Sequence, residues 1–507
     1  MRKFFFGGLF LLGLITIFLM WYFQFMNFDL GRFVLWLLLL LFFIGVYDVF
    51  QRKHAILRNF PLVGHFRYLL ESISPEIQQY FIESNTDGKP FDRNTRALAY
   101  RRAKSVNDTH PFGTQRDIGE SDYMALRHSI YAVVPKDKDP RVMIGGKDCL
   151  QPYSASIYNI SAMSFGSLSS RAIMALNKGA AKGNFYHNTG EGGISHYHRN
   201  GGDLVWQIGT GYFGCRDEHG NFSPEAFQEK ANWPEVKMIE IKLSQGAKPG
   251  HGGVLPGVKN TPEIAEIRGV KAGETILSPP AHSAFHNEEG LIDFVSQLRE
   301  LSGGKPVGFK LCIGRTEEFL SICKAMMKRN SFPDFITIDG AEGGTGAAPL
   351  EFSDSVGIPL LPALIFVRST LEKFGIRDQI KVIAAGKAIS AFSIVRNIAI
   401  GADICNAARG FMFSLGCIQA LRCNSNDCPT GVATQRKSLE KGLVVTDKAE
   451  RVYNYHKNTV HAVVELLGAS GHQHTSELTA ADLVRGDEMI ALADRYFPDS
   501  VITQVDH

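Results

Sequence analysis

The sequence predicts an α/β fold, a (β/α)8 TIM barrel with an N-terminal transmembrane hairpin and a helical C-terminal extension. Two long apolar runs lie within the first fifty residues, and eight short apolar or β-branched runs follow residue 152. Each short run precedes a helical or loop segment, the alternation typical of a parallel sheet. The predicted boundaries are 1–54 for the membrane anchor, 55–150 for a connector that wraps the barrel, 151–437 for the barrel and 438–507 for the helical extension.

The membrane anchor rests on its two apolar runs. Residues 4–23 are nearly uncharged, and a helix of that length spans roughly 30 Å, one hydrocarbon core. The run 33–50 reaches this length only with Asp48 and Phe50 at the headgroup level. It is therefore either a second transmembrane helix or a re-entrant or interfacial segment. A cleaved signal peptide is disfavoured, because bulky residues at 21–23 stand where a cleavage site needs small ones.

Basic residues flank the anchor at both ends. Arg2 and Lys3 precede the first run, and Arg52, Lys53 and Arg58 follow the second. Cytoplasmic segments carry the excess of Lys and Arg in membrane proteins. We therefore expect both ends of the anchor, and the catalytic domain, on the cytoplasmic side.

The composition narrows the class of function. The 507 residues include 54 basic and 51 acidic side chains, so the formal charge of +3 gives no field of one sign that would attract nucleic acid. We expect no nucleic-acid partner. Eight cysteines are too few for a disulfide scaffold in a chain of this length, and three of them lie within twelve residues. That clustering indicates metal chemistry in a reducing compartment.

The predicted barrel strands are residues 158–163, 184–188, 238–243, 275–277, 307–311, 335–338, 380–384 and 403–407. An open doubly wound sheet is the alternative, but no break in the repeating pattern indicates a reversal of strand order. Glycines and polar residues follow several of these runs, at the carboxyl ends where barrel active sites lie. An amphipathic segment around 452–467 predicts helices packed under the barrel.

The three clustered cysteines are Cys417, Cys423 and Cys428, spaced C-x5-C-x4-C. Thiolates on a polar loop suit an iron–sulfur cluster, either a three-iron form or a four-iron form with one outside ligand. A structural zinc site needs a fourth ligand, and the segment contains no histidine. Polar residues at 424–427 argue against an accidental group of core thiols.

Two further pairs of residues lie at predicted strand ends. Gly386 and Gly410 end the seventh and eighth runs, where barrels commonly hold a phosphate with backbone N–H groups. Lys248 lies in a glycine-rich loop after the third run, and Arg268 follows on a predicted helix. Two fixed cations at the barrel mouth suit a dicarboxylate, although lysine and arginine in such positions are more often surface charges.

Two other motifs carry less weight. Residues 209–214 match G-x-G-x-x-G, but a turn follows instead of the helix that dinucleotide binding requires, so we interpret the motif as a structural loop. The histidine pairs His196/His198 and His472/His474 lack a third ligand nearby, and we expect them at the surface.

Six ordered blocks over about 280 residues resemble the synthase domain of glutamate synthase, in a stand-alone, membrane-anchored form. They are ISAMSFG at 160–166, NTGEGG at 188–193, EIKLSQGAKPG at 240–250, SPPAH at 278–282, GGTGAAP at 343–349 and the cysteine segment 416–435. The resemblance implies a TIM barrel that holds FMN and a [3Fe-4S] cluster. It also implies reductive addition of ammonia-derived nitrogen to 2-oxoglutarate, giving glutamate, by an oxidoreductase that acts on CH–NH2 donors.

The resemblance also implies roles for individual residues. Electrons would enter singly at the cluster and reach the substrate as hydride from the flavin. The residues implied around the flavin ring are Met163, Ser164, Gln245 and Lys310, and those implied at its phosphate are Gly386 and Gly410. The implied catalytic residues are Lys248, Arg268 and Gln245. The implied cluster ligands are Cys417, Cys423 and Cys428.

Three departures from the family pattern leave the substrate open. The chain starts Met-Arg-Lys and lacks the amino-terminal cysteine of the family's glutaminase, so we expect ammonia from solution or from a partner. The β-helix that normally follows the synthase domain is also missing from the sequence. His251 and Val254 replace the glutamate and glutamine usual in the substrate loop.

Two alternatives follow from these departures. One is a membrane-associated flavin and iron–sulfur electron-transfer protein, or a related oxidoreductase with a different substrate. The other is a flavin-free barrel that binds a phosphorylated metabolite. The electron donor, whether ferredoxin, a nicotinamide protein or a quinone, and the oligomeric state do not follow from the sequence.

Overall fold

A computed structural model describes residues 2–24, 29–488 and 491. The chain divides into two compact units, Met1–Pro90 and Phe91–His507. The helices are α1 Arg2–Gln24, α2 Asp29–Phe50, α3 Ala55–Asn59, α4 Gly64–Ile77, α5 Arg93–Lys104, α6 Ser170–Gly183, α7 Pro224–Ala231, α8 Pro262–Arg268, α9 Glu288–Leu301, α10 Thr316–Arg329, α11 Leu350–Ser355, α12 Leu360–Lys373, α13 Ala391–Ile400, α14 Arg409–Leu415, α15 Lys437–Glu440 and α16 Val445–Ala469. The strands are β1 Met124–Leu126, β2 Arg141–Ile144, β3 Tyr153–Ser156, β4 Tyr158–Ile160, β5 His187–Asn188, β6 Leu204–Ile208, β7 Val236–Lys242, β8 Val254–Leu255, β9 Ile276–Leu277, β10 Val307–Leu311, β11 Phe335–Asp339, β12 Lys381–Ala385, β13 Ile404–Ala407 and β14 Leu483–Arg485.

The N-terminal unit consists of helices. Helices α1 and α2 pack against each other, and a Cβ added at Gly13 would lie 2.8 Å from the Phe42 ring. Within the described residues, one helical stretch is long and apolar enough to cross a membrane: Phe33–Phe50, with a mean hydropathy of 2.5. It lies in α2, which continues unbroken through Asp48. The crossing of α1 stays a prediction.

The second unit is built around a closed barrel of eight parallel strands, in the order β4, β5, β6, β7, β10, β11, β12 and β13. Strand β13 closes the barrel onto β4, with Cys405 opposite Tyr158. This arrangement confirms the predicted TIM barrel. Such a barrel brings the loops at the carboxyl ends of all eight strands to one face.

One of the eight predicted strands is wrong. Residues 275–277 contribute β9, which pairs antiparallel with β8 outside the barrel, and Leu277 is 68% exposed. The third barrel strand is β6, in which all five residues are buried. Parallel strands are buried on both faces, so the short run that ends in an exposed leucine fits a surface ladder better than a barrel.

The barrel interior is polar at its centre. Glu240 on β7 is buried and accepts hydrogen bonds from Asn188 Nδ2 at 2.8 Å, Gln207 Nε2 at 2.6 Å and Thr337 Oγ1 at 2.7 Å. These donors come from β5, β6 and β11. A buried carboxylate is tolerated because each of these neighbours supplies a hydrogen bond. The network fixes four strands around one acidic side chain.

One predicted surface histidine lies in the core. His196 is exposed as predicted, but His198 is buried, its Nδ1 lies 2.9 Å from Ser195 Oγ, and its ring centroid is 5.3 Å from that of His187. Burial lowers the pKa of His198 to about 4. A 3₁₀ turn at His196–His198 turns the two side chains to opposite sides.

Helix α16, of 25 residues, is the longest described helix of the predicted C-terminal extension. It packs against α5, α6, α13 and α14 and buries Tyr455, whose hydroxyl lies 2.9 Å from that of Tyr158. The extension does not stay helical, because β14 pairs antiparallel with β1. Residues 489, 490 and 492–507 of the predicted extension lie outside the described part of the chain.

Candidate functional site

Four charged side chains meet at the carboxyl ends of β5 and β7. Glu191 follows β5, and its Oε1 lies 2.7 Å from Nζ of Lys242, the last residue of β7. Burial alone would raise the pKa of Glu191, but Lys242, Lys248 and Arg268 together lower it below its ordinary value. All three cations are buried. Three positive charges therefore surround one carboxylate, which leaves an excess of two.

Helix α8 places Arg268. Thr261 caps the helix by accepting from the N–H of Ile264, Pro262 occupies the first turn, and Gly269 ends the helix in the left-handed conformation at φ +63°. Arg268 is thus the last helical residue. The sequence prediction of an arginine at the barrel mouth agrees with this placement.

The guanidinium of Arg268 is closely packed and only partly hydrogen-bonded. Its Nη2 donates to the carbonyl of Phe165 at 3.2 Å, and a Cβ added at Gly192 would lie 2.8 Å from the same nitrogen. Its Nε is buried and has no hydrogen-bond partner among the described residues. Burial lowers the pKa of Arg268 to about 10. A buried guanidinium with a free N–H is suited to an anionic ligand.

Lys248 lies on the loop after β7 and approaches the same charges. Its Nζ donates to the carbonyl of Ala347 at 2.9 Å, which leaves two ammonium hydrogens for other acceptors. Burial and the charge of Lys242 lower the pKa of Lys248 to about 8, and Glu191 opposes them. Lys248 and Arg268 thus share Glu191 as an electrostatic neighbour.

The predicted flavin-ring residues lie on the same face of the barrel. Met163 and Ser164 are buried on the loop after β4, and a Cβ added at Gly190 would lie 2.8 Å from the Ser164 nitrogen. Lys310 on β10 forms a buried ion pair with Asp339 at 3.1 Å. Burial lowers the pKa of Lys310, but Asp339, Glu240 and Glu191 together outweigh burial and the net shift is upward.

Gln245 is held at the same face by a tight contact between two loops. It is half-buried and precedes Gly246, whose N–H donates to Asp339 Oδ2 at 3.0 Å. A Cβ added at Gly246 would lie 1.8 Å from the carbonyl oxygen of Gly340, so only glycine fits there. The loops after β7 and β11 are therefore locked together around Gln245.

The predicted phosphate glycines have different surroundings. Gly386 follows β12 with φ +148°, a conformation that favours glycine. At Gly410 an added Cβ would lie 2.5 Å from the Tyr455 hydroxyl, so packing alone accounts for glycine there. Two cations that were not predicted, Lys387 and Arg409, stand over the Phe91 ring at 5.7 and 4.7 Å. Their charges fit a phosphate at the ends of β12 and β13.

The three clustered cysteines are electrostatic neighbours. Burial, with smaller contributions from the charges of Cys423 and Cys428, raises the pKa of Cys417 to about 12. Thiols in this setting ionise together only beside a cation, and thiolate ligands are what iron–sulfur clusters use. Across residues 2–24, 29–488 and 491, however, no group of three or more His, Cys, Asp or Glu side chains is arranged as a metal site. The donor types fit a cluster, which stays a prediction.

A buried lysine contacts the cysteine loop. Lys259 Nζ donates to the carbonyls of Ser167 at 2.5 Å, Cys423 at 3.2 Å and Ala433 at 3.2 Å. Burial lowers the pKa of Lys259 to about 8, while the cysteine thiolates of 423 and 428 oppose burial. An ammonium has three N–H donors, and all three are used. Lys259 joins the loop after β4 to the middle of the cysteine segment at Cys423 and to its carboxyl end at Ala433.

The two departures in the substrate loop are close to the charged cluster. His251 Nδ1 lies 2.9 Å from the carbonyl of Gly252, and its ring packs edge-on against Phe352. Val254 begins β8 and is half-buried. A Cβ added at Gly253 would lie 2.4 Å from Glu191 Oε1, so this loop forms one wall around the carboxylate.

Several residues of this face had no sequence signal of their own: Glu191, Lys242, Lys259, Lys387 and Arg409. Glu191 and Lys242 lie inside two of the six family blocks, yet their pairing requires the fold. Lys259 follows the glycine-rich loop by six residues and is indistinguishable in sequence from a surface lysine. The contacts that these side chains make identify them only in three dimensions.

Comparison with known proteins decides the family. Residues 131–473 match the family model described as the conserved region in glutamate synthase. The chain belongs to the glutamate synthase family. Membership confirms the resemblance drawn from the six blocks, and the matched region includes every predicted site residue from Met163 to Cys428.

Three relatives are informative. The chain is 39% identical over 473 residues to the glutamate synthase large subunit-like protein YerD of Bacillus subtilis (strain 168), covering 84% of this chain and 89% of that protein. It is 35% identical over 330 residues to the archaeal glutamate synthase [NADPH] of Methanocaldococcus jannaschii, covering 64% and 61%. It is 33% identical over 280 residues to the ferredoxin-dependent glutamate synthase of Antithamnion sp., covering 54% and 17%.

The chain is shorter than two of these relatives. The chain spans 61% of the Methanocaldococcus relative and 17% of the Antithamnion one. The chain is an oxidoreductase of glutamate synthase type, in the class that acts on CH–NH2 donors.

Proposed function

We propose that this enzyme uses FMN and a [3Fe-4S] cluster to aminate a 2-oxo dicarboxylic acid reductively, with 2-oxoglutarate and ammonia as substrates and glutamate as product. One observation carries the proposal: three buried cations surround the single carboxylate of Glu191. Buried charges are stable only when compensated. The two excess charges match the two carboxylates of 2-oxoglutarate.

In this proposal the chain's own residues bind and orient the substrate. Arg268 offers a planar fork to one carboxylate and Lys248 a point charge to the other, while Glu191 holds Lys242 in place at 2.7 Å. The loop that carries His251 and Val254 covers the substrate. Orientation of this kind lowers the barrier by fixing the reacting carbon before the reaction.

The cofactor residues are proposed on chemical fit. Met163, Ser164, Gln245 and Lys310 would surround the flavin ring, and Gly386 with Lys387 and Arg409 would hold its phosphate. Cys417, Cys423 and Cys428 would ligate the cluster. When bound, the flavin supplies hydride to the imine, and the cluster supplies single electrons from a donor still to be identified.

We also propose that α1 and α2 anchor the enzyme in a membrane with the barrel in the cytoplasm. Only 11% of the residues in the apolar stretch Phe33–Phe50 are buried within the protein, which supports exposure to lipid. Exposed Arg52, Lys53 and Arg58 follow it, as expected at a cytoplasmic boundary. Carbonate-resistant retention in membranes, compared with release of a peripheral marker, tests the anchor.

The substrate proposal is tested by anaerobic turnover. Purified enzyme, reduced until its flavin absorbance is bleached, is mixed with 2-oxoglutarate plus ammonia, and separately with 2-oxoglutarate plus glutamine. We expect reoxidation of the flavin and formation of glutamate with ammonia. Intact cofactors without reoxidation in either mixture would reject 2-oxoglutarate as the substrate, and a preparation without bound FMN would reject the flavin itself.

A second candidate is an electron relay with no organic substrate of its own. Val254, an apolar side chain half-buried beside Glu191's loop, favours it, because a substrate loop would be expected to offer a polar contact there. The Lys248→Ala variant separates the two functions. A relay keeps its full cellular activity in this variant, whereas a reductive amination enzyme loses most of it.

A further inference from the structure

Helix α4 and the π-helical turn Gln78–Ile82 that continues it carry an exposed apolar face. Its side chains are exposed from 36% for Ile77 to 83% for Phe81. The face consists of Phe66, Leu69, Leu70, Ile73, Ile77, Tyr80 and Phe81. Soluble proteins rarely leave a contiguous apolar patch of this kind uncovered.

The spacing of these residues places them on one side of the helix. Relative to Phe66 they lie at i+3, i+4, i+7, i+11, i+14 and i+15, a single stripe at 100° per residue. The opposite side is mostly polar and includes Arg67 and Glu71, which form an ion pair at 3.5 Å. Its exposed apolar side chains are Tyr68 and Ile82. The segment is therefore amphipathic along its whole length of about 28 Å.

The start of α4 is tied to the end of the apolar helix α2. Asp48 is buried and accepts hydrogen bonds from the Leu62 N–H at 2.9 Å and from His65 Nε2 at 2.9 Å. Asp48 lies two residues before the end of the apolar stretch Phe33–Phe50. The first turn of α4 is thus fixed at the level where the apolar surface of α2 ends.

The chain between the two helices is cationic. Arg52, Lys53 and Arg58 are exposed, and exposed aromatic rings at Tyr47 and Phe50 continue the apolar surface of α2 up to them. Cations beside an aromatic band match the headgroup level of an anionic bilayer. A protein partner would not require this continuity with a membrane helix.

We propose that α4 and its π-helical turn lie in the plane of the membrane, with the apolar face in the acyl-chain boundary and the flanking cations on anionic headgroups. Interfacial helices combine a one-sided apolar stripe with basic residues in this way. The proposal rests on the membrane attachment proposed above and adds a second membrane contact. The connector after the anchor then starts along the bilayer surface.

Tryptophan scanning of the full chain in phosphatidylcholine–phosphatidylglycerol vesicles tests the contact. Leu70→Trp places an indole on the apolar face, and Ser72→Trp, also exposed, places one on the polar side as a matched control. With lipids brominated near the headgroup end of the acyl chains, we expect the emission added by Leu70→Trp to be blue-shifted and largely quenched. The emission added by Ser72→Trp should keep its intensity.

The native Trp21 and Trp36, on α1 and α2, lie near the ends of the apolar runs 4–23 and 33–50. In the unsubstituted chain they report separately on the anchor through the same lipids, brominated near the headgroup end. If they are quenched and Leu70→Trp is not, the interfacial proposal fails and the anchor stands. A blue-shifted but unquenched Leu70→Trp would assign the face to a protein surface and also reject lipid. If no indole is quenched, the membrane attachment itself is wrong.

Discussion

Lys259 and Arg268 are both buried cations on the segment that follows β8, yet their surroundings differ. Lys259 uses its three donors on three backbone carbonyls, whereas Arg268 keeps a buried Nε without a partner among the described residues. A saturated cation stabilises the loops that it joins. An unsaturated one costs stability unless a ligand completes it, and binding sites accept that cost.

The two cations differ in the charge of their neighbours as well as in the number of hydrogen bonds that they donate. Arg268 and Lys248 are opposed by only one carboxylate, Glu191, so they present net positive charge to the barrel mouth. Lys259 donates to neutral carbonyls and faces the cysteine loop, and the charge of Arg268 adds only a minor repulsion. We therefore expect substitutions at Arg268 to act on the oxo acid and substitutions at Lys259 to act on folding and iron retention.

The largest expected effect is on Arg268. Arg268→Met should lower kcat/KM for 2-oxoglutarate by about a thousandfold, because truncation of a buried charge pair typically costs 2–5 kcal/mol. Arg268→Lys should restore part of the loss, since it keeps the charge without the fork. Steady-state kinetics with the reduced enzyme measure both.

Arg216→Met is the matched control for Arg268. Arg216 lies on the same Phe213 ring, with its Cζ 5.7 Å from the centroid against 5.1 Å for Arg268, and it too has a buried Nε without a partner among the described residues. It differs in being half-buried and in not being among the cations that lower the pKa of Glu191. The control should leave kcat/KM nearly unchanged. Equal losses in the two arginine variants would mean that packing on Phe213, and not substrate charge, is what matters.

Lys259→Met should destabilise the holoenzyme by about 3 kcal/mol, because it deprives three backbone carbonyls of their donor. Thermal unfolding should occur at a lower temperature, and iron per chain should fall, while KM for the oxo acid stays the same. Lys271→Met, an exposed lysine paired with Glu274 at 2.6 Å, serves as the control. A raised KM in Lys259→Met would break the contrast with Arg268.

Lys248 predicts a pH dependence. Its pKa is lowered to about 8, so it loses its charge as pH rises through that value. A carboxylate is held by the protonated form, and kcat/KM for the oxo acid should be level below pH 8 and fall about tenfold per unit above it. Lys248→Arg should move the fall to higher pH. A profile unchanged by this substitution would assign the titration to another group.

These contrasts also show what the sequence can predict. Strands buried on both faces consist of apolar runs, and such runs predicted seven of the eight barrel strands. The eighth prediction was wrong because the run 275–277 has the same composition as a barrel strand but ends in the exposed Leu277. Local composition cannot distinguish a surface ladder from a buried one.

Some residues of the candidate site are likewise predictable from the local sequence, and others are not. Lys248 and Arg268 were predicted because unusual residue types stand in glycine-rich or helix-end positions. Glu191 pairs with Lys242 across 51 residues, and Lys259 reaches carbonyls up to 174 residues away. Barrel closure creates these contacts, so no local pattern encodes them.

The smallest expected effect is at Val254, where the substrate loop departs from the family. Val254→Gln adds an amide to a half-buried position in the loop beside Glu191. One added hydrogen bond is worth about 1 kcal/mol, so KM for 2-oxoglutarate should fall about fivefold with kcat unchanged. Val258→Gln, at a residue that is 68% exposed, is the control and should change neither constant. If Val254→Gln instead raises KM, the valine is matched to an apolar part of the substrate, and a 2-oxo acid other than 2-oxoglutarate becomes the better candidate.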